Sequence, residues 1–588
     1  MTWNEQRLSA TLTELRRFGD DTTLVECKRA AGGVPENLAT TLCAFANMPQ
    51  PGIILLGIDE RQDFAVAGVS GPASLEKAVA NLNRNSVVPA PQLEFTHLQI
   101  EGKSVLVVEV TPLAPQEKPA RVNNQPYLRQ ADGDYKMNSN DLRVLELSAL
   151  IESQQPQFDF AVLTGTNTEI LDQEILARYL ETVRERPRLS RVEDDRRLLQ
   201  MTNVTDGEGQ LRRAGLYALG YLPQLLEPAL GATVAVRLSR EEGGGRTKNL
   251  TEIEGPLPAM LQDTVRWIRQ NTSVISSYNA NGDLVDTPEF PPSAIREVVA
   301  NALVHRDLGP SLEVGKKVEV RVTEKALVVM NPGGLRGLSV DQLNSSSLTK
   351  AAVNKRLYEI ARYLRTPDGA RVIEGEGGGI QEILTVLREA RLPSPRFVDS
   401  GVEFKVIFPR GSRFTQEEDE WLTNLPASGP SFTPTEEDLL INIRNHGPVT
   451  LRRVANLYSP LSEFSCQSML ERLTEAGVLN EDAGVYSLSP SLGPGPQSDA
   501  TTDNEQTFPE NFGVSALSEL GKNVPRVFEA ISRLEKQEES ATIRALVGLT
   551  SLSEGQVRYA LDPMLRAGIA VMNGGQGSHT TTYSLVRN

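Results

Sequence analysis

Glu297, Asn301 and His305 recur every four residues in PPSAIREVVANALVHRD (residues 291–307), which sets them on one face of a helix. Ile295, Val298, Val299, Ala302 and Leu303 make the i, i+3, i+4, i+7, i+8 stripe of the face that packs inward. A carboxylate one turn from an amide can place a water-activating base, Glu297, beside a magnesium ligand, Asn301. By itself the pair also reads as an ordinary solvated helix face. Two Gly-rich segments follow: Asn331-Pro332-Gly333-Gly334 after the strand 326–330, and Glu374-Gly375-Glu376-Gly377-Gly378-Gly379-Ile380 before the helix QEILTVL. Glycines at a helix start let backbone N–H groups approach a phosphate, and the helix dipole favours the anion. In this order the three segments point to a nucleotide pocket.

A second constellation lies near the N-terminus. In DTTLVECK, Asp21 precedes a strand on which Glu26 and Lys28 share a face by the period of two, and GIILLGIDE delivers Asp59 and Glu60 at its end. Clustered carboxylates beside a lysine could hold a divalent metal and position a water for phosphodiester cleavage. The plainer reading is charged strand ends. Arg121, Arg129 and Lys136 read either as phosphate contacts or as surface charge.

The elements that must carry these residues follow from the pattern. Helices are expected over 5–17 and 35–47, strands over 23–28 and 52–58, and a hairpin over 93–110 turning at Glu101-Gly102. A strand is expected at 231–239, and an α+β unit from about 260 to 410. Residues 433–489 and 521–586 repeat a layout of helices closed by a short hairpin, joined by a low-complexity tether. The boundaries are set at 1–150, 151–258 (a linking α/β domain), 259–411, 432–490, a linker 491–515, and 516–588.

At 588 residues the chain is long enough for several domains, and 39% hydrophobic with 23% charged residues is a globular composition. A net charge of −16 excludes a uniformly cationic coat, so nucleic acid would have to meet local basic patches. Three cysteines and four histidines, widely scattered, exclude a disulfide framework and make structural zinc improbable. With no apolar signal core or 18-residue apolar run, the expectation is a soluble, cytoplasmic protein without a membrane partner. No GxxxxGK[ST] motif occurs, which argues against a helicase.

REVVANALVHRD, VVMNPGGL, EGEGGGIQEI and LPSPRFVDSGVEFKVIF together resemble the ATP-binding module of bacterial RecG-like predicted transcriptional regulators, itself similar to the GHKL (Bergerat-fold) ATPases. The resemblance implies an α/β sandwich that binds ATP and Mg²⁺. It assigns an N-box to Glu297 and Asn301, with His305, Arg306 and Asp307 counted among the cofactor-binding residues. It also implies an adenine-side loop at Asn331, Gly333 and Gly334, phosphate-side glycines at Gly375, Gly377, Gly378 and Gly379, and a lid over about 335–373. Asn331 stands where the wider class usually carries an aspartate.

LVECK, ATTLCAFANMPQPGIILLGIDE, AGVS and PYLRQADGDYKM resemble the AlbA-type domain shared with Schlafen proteins, over about residues 8–140. In the Schlafen nucleases two acids spaced as Asp21 and Glu26, with a third that Asp59 (or Glu60) would match, form the metal site of an RNA nuclease. The C-terminal segments read as two winged helices, with recognition helices at Ser462–Ala476 and Ser553–Ala567, the second presenting Gln556, Arg558 and Tyr559.

The expected protein is therefore an α+β multidomain chain. It joins an AlbA/Schlafen-like α/β domain, a GHKL-like module and two winged helices in an ATP-binding, DNA-binding, homo-oligomeric transcriptional regulator. The rival is a metal-dependent, ATP-regulated nuclease acting on RNA or DNA, and a third reading is a nucleotide-sensing scaffold.

Overall fold

The computed structural model describes the chain outside residues 1–2, 19–22, 131–132, 151–153, 239–246, 279–283, 345–352, 374–378, 426–431, 459–460, 483, 493–522, 537–540 and much of 551–588. Residues Met1–Gly495 form one compact unit and Pro496–Asn588 a second.

In GIILL (Gly52–Leu56) every residue is buried, because both faces of the strand are covered. Ile53 and Leu55 pack with Leu8, Leu12 and Leu15 of the helix Glu5–Phe18, while Ile54 and Leu56 pack with Leu38, Leu42 and Phe45 of the helix Leu38–Asn47. The strand pairs in parallel with Val25–Lys28 and antiparallel with Lys103–Val110, and Leu93–Ile100 closes the four-stranded sheet. The hairpin turns at the expected dipeptide, with both Glu101 (φ 51°) and Gly102 (φ 69°) left-handed. Above the helix Leu38–Asn47 lies the short hairpin Tyr127–Gln130/Gly133–Lys136, in which Arg129 pairs with Asp134.

A six-stranded sheet organises the next region, in the order Thr247–Ile253, Ala232–Arg237, Val318–Val322, Ala326–Pro332, Glu403–Pro409, Arg396–Asp399. Ala232–Arg237 and Val318–Val322 run in parallel, and the remaining neighbours are antiparallel. The helices Leu257–Asn271, Pro292–Val304 and Gly379–Glu389 share one apolar core with these strands, and that core reaches from Leu171 to Phe408. The expected boundary at 258/259 falls within this sheet and core. It would cut one sheet and one core, because its outer two strands precede it in sequence and the other four follow.

Residues 434–488 form the helices Pro434–His446, Leu451–Leu457 and Glu463–Glu475 with a small sheet ordered Val449–Thr450, Val485–Leu488, Leu479–Asp482. Thr433, Thr450 and Ser462 accept N–H bonds at the three helix starts, as capping side chains do. In the second unit the helices Val524–Lys536 and Ile543–Thr550 and the hairpin Ala570–Asn573/Thr582–Leu585 enclose their own core around Val527, Ile531, Leu546 and Tyr583. Among the described residues no helix is long and apolar enough to cross a membrane.

Candidate functional site

Pro291 and Pro292 open the helix Pro292–Val304, which buries Ile295, Val298, Val299, Ala302 and Leu303 as the stripe requires. On its other side the Asn301 amide Nδ2 donates to Glu297 Oε1 at 3.0 Å. Facing them is Gly379, the first residue of the helix Gly379–Glu389. A Cβ there would run into the Glu297 carboxylate, so the absence of a side chain is what lets the two helices meet at this point. The cleft between them is lined by Ala294, Arg296, Glu297, Arg371, Gly379 and Glu382, among others. Glu297, Asn301 and Gly379 are thus brought together, while Gly375, Gly377 and Gly378 lie outside the described residues.

The three residues that follow the helix are each held by the protein around them. His305 closes the helix through its N–H to the Asn301 carbonyl (2.9 Å), and its ring lies 5.9 Å from that of Tyr358. Burial pulls its pKa down to about 4, so the imidazole is neutral near pH 7 and offers a phosphate no charge. Arg306 is fully buried and donates to the carbonyls of Gly231 (3.4 Å) and Lys316 (2.8 Å). Asp307 accepts the Ser311 N–H (2.8 Å) and pairs with Arg336 (3.1 Å), and its own N–H donates to the Pro332 carbonyl (2.8 Å). The charged groups of Arg306 and Asp307 are thus held by the protein itself, tying the helix end to its surroundings.

That lock also holds the loop that begins at Asn331. The Asn331 side chain is buried, and its Oδ1 has no hydrogen-bond partner among the described residues. An unmet buried acceptor costs about 1–3 kcal/mol, which a ligand N–H would recover. Gly333 takes φ +90° and donates to the Val402 carbonyl at 2.9 Å. A Cβ on Gly334 would stand 2.7 Å from both Asp399 Oδ1 and Gly401 Cα.

Asp399, which was not singled out from the sequence, is the brace of this loop. Its carboxylate accepts the N–H groups of Gly401 (2.8 Å) and Leu335 (3.2 Å), and its own N–H donates to Gln50 of the first domain (3.3 Å). Burial raises its pKa to about 6, against the pull of those two N–H groups and of Lys118. Lys118 donates to the Met48 carbonyl (2.7 Å), and burial lowers its pKa to about 8 despite Asp399. Val402 packs in the apolar core of the first domain. The loop at Asn331 and the first domain therefore share a wall.

In the first domain Glu26 is buried and ion-paired to both Lys28 and Arg129. Arg129 is only 1% exposed and also pairs with Asp134 (3.3 Å), which accepts from Thr41 Oγ1 (2.7 Å). The guanidinium of Arg129, expected as a phosphate contact, faces acids in the interior. Asp59 is buried at the end of its strand, accepting the Arg61 N–H at 3.1 Å, with Arg29 3.7 Å away. Asp21 lies outside the described residues. Among the described residues no group of three or more His, Cys, Asp or Glu side chains is disposed to hold a metal. Arg121 is half-buried and Lys136 exposed. In the helix Glu463–Glu475, Arg472 is paired with Glu436 (Nε to Oε1, 2.6 Å). Gln556, Arg558 and Tyr559 lie outside the described residues.

Comparison with known proteins agrees with both resemblances. Residues 21–138 match the family model described as Schlafen, AlbA_2, and residues 315–408 that described as "Putative ATP-dependent DNA helicase recG C-terminal". Among solved structures, the DIP2311 protein of Corynebacterium diphtheriae is 18% identical, with 98% of this chain and 99% of that one covered and a TM-score of 0.38. The N-terminal domain of a RecG-related helicase-named protein of Nitrosomonas europaea is 26% identical over 22% of this chain and 80% of that one, with a TM-score of 0.17. No curated protein matches the chain. The chain thus carries a region similar to the Schlafen AlbA_2 domain, residues 21–138, and one similar to the RecG C-terminal ATPase-type domain, residues 315–408.

Proposed function

We propose that the chain is an ATP-binding, DNA-binding regulator in which nucleotide occupancy alters the hold on nucleic acid. The observation that carries the reading is the unmet, buried Oδ1 of Asn331, in the same module that sets Glu297 and Asn301 against Gly379. These residues fit a purine nucleotide. Asn331 would accept an N–H of the base, and Asn301 would hold Mg²⁺, which supplies charge neutralisation for the phosphates when bound. Glu297 is the group able to orient a water, and Gly379 lets its helix start come up against that carboxylate.

Coupling would run through the Asp399 brace, because movement of the Asn331 loop is felt by Gln50, Lys118 and Val402. A switch of this kind needs nucleotide to prefer one of two arrangements. In this reading the helical units at 434–488 and 524–585 are winged helices that carry DNA contacts, and assembly into a homo-oligomer would pair weak sites. The nuclease alternative, with Asp21, Glu26 and Asp59 around a metal, draws less support because Glu26 already faces two cations.

The test is calorimetric titration of Mg-ATP into the full chain. Asn301→Ala is expected to weaken binding at least about tenfold, the equivalent of losing one charge-assisted contact of about 1.4 kcal/mol. Parent-like affinity in that variant would show the pocket to be elsewhere.

A further inference from the structure

On another side of the ATPase-type module, the end of the helix Gln173–Arg184 meets the turn after the helix Lys355–Ala361. Between them is an open cleft of about 220 Å³ whose walls include Arg186, Arg362, Arg365 and Arg371, with Glu185 as the acid among its lining residues. Four guanidinium groups around one cleft run against the grain of a chain with net charge −16. Local neutralisation is slight. Arg362 reaches Glu359 at 3.4 Å, Arg365 donates to the Gly369 carbonyl at 3.3 Å, and Arg186 lies over the Tyr363 ring with 4.6 Å from Cζ to the ring centroid. Like charges held together with few acids among them cost free energy unless an anion joins them. Arginine's planar fork matches phosphate oxygens in pairs.

Two features favour a polymer over a small anion. Arg186, Arg362 and Arg371 are exposed, whereas small ligands are held in sites that bury most of their surface. An aromatic ring flanked by an arginine is also what stacks against nucleic-acid bases beside a charged backbone track. Arg371 lines the cleft of Glu297 and Gly379 as well, and its carbonyl accepts from Arg296 at 2.6 Å, so the two clefts share a wall.

We infer that this arginine cleft binds the phosphodiester backbone of a nucleic-acid strand beside the nucleotide pocket. The inference rests on the reading that the chain handles nucleic acid, and adds a contact surface outside both the first domain and the C-terminal helical units.

The experiment uses the full chain and fluorescein-labelled random-sequence oligonucleotides, single- and double-stranded, followed by anisotropy from 50 to 200 mM KCl. The double variant Arg186→Glu/Arg365→Glu is expected to bind at least about tenfold more weakly, with the slope of log affinity against log salt reduced by about 2. Arg186→Lys/Arg365→Lys should recover most of the affinity, and an unchanged melting temperature in the Glu variant would exclude misfolding. If the parent binds and the Glu variant matches it in affinity and slope, the cleft is overturned while the wider reading stands. No binding by the parent would overturn both. Loss of inorganic tripolyphosphate binding alone, with oligonucleotide binding intact, would overturn the proposal in favour of a small polyanion.

Discussion

Arg129→Ala is expected to destabilise the first domain by about 3–5 kcal/mol, the usual cost of removing one partner from a buried ion pair. Arg129 sits in the short hairpin with its guanidinium shared between Glu26 and Asp134, and its removal takes one of two cations from the buried Glu26. The Phe45 ring, 5.6 Å from the guanidinium carbon, would lose its packing partner as well. Hydrogen exchange of the amides in Gly52–Leu56 reads this directly, because the strand is the centre of the sheet. Protection there should fall by roughly two to three and a half orders of magnitude, at about 1.4 kcal/mol per tenfold. A second variant separates charge from volume: Arg129→Met with Glu26→Gln removes both charges and should recover much of the loss. Undiminished protection in Arg129→Ala would mean that Glu26 is neutralised by something else.

The second large effect is expected at Gly334→Ala. One added methyl group would stand 2.7 Å from Asp399 Oδ1 and from Gly401 Cα, and Gly401 is pinned by its N–H to that same carboxylate at 2.8 Å. Backbone cannot give way as a side-chain tip can, so the loop from Asn331 to Leu335 must move. Overpacking of this kind costs about 1–3 kcal/mol in stability. The larger consequence is for nucleotide. Asn331 leads this loop, and its displacement should weaken Mg-ATP binding by about tenfold or more, at the cost of one lost hydrogen bond to a buried group. Calorimetry on Gly334→Ala beside the parent measures it, and equal affinities would remove the loop from the pocket.

Local pattern reached some of this and stopped at pairings distant in sequence. The uninterrupted apolar run of GIILL announces a strand covered on both faces, and the Glu101-Gly102 turn is legible because only left-handed backbone joins strands so tightly. The helix Pro292–Val304 and the apposition of Glu297 and Asn301 follow from period alone. Charge is the opposite case. An arginine in YLRQADGDYK reads as surface until the fold sets it beside Glu26, and Arg306 reads as a ligand until the fold brings the carbonyls of Gly231 and Lys316 to its guanidinium. The parallel pairing of Ala232–Arg237 with Val318–Val322 joins segments far apart in the chain, which no window of local periodicity contains. Asp399 was hidden for the same reason, since its role comes from the Gln50, Leu335 and Gly401 groups that tertiary structure gathers around it.

The central proposal is that a nucleotide held by Glu297, Asn301 and Asn331 changes the grip on nucleic acid. The most direct test is the Kd of the full chain for labelled duplex DNA with and without saturating Mg-ATP, paired with the Kd for Mg-ATP with and without saturating DNA. A coupling of about 1–3 kcal/mol predicts shifts of roughly 5- to 150-fold, equal in the two directions by linkage. Unchanged affinities on both sides would contradict the account.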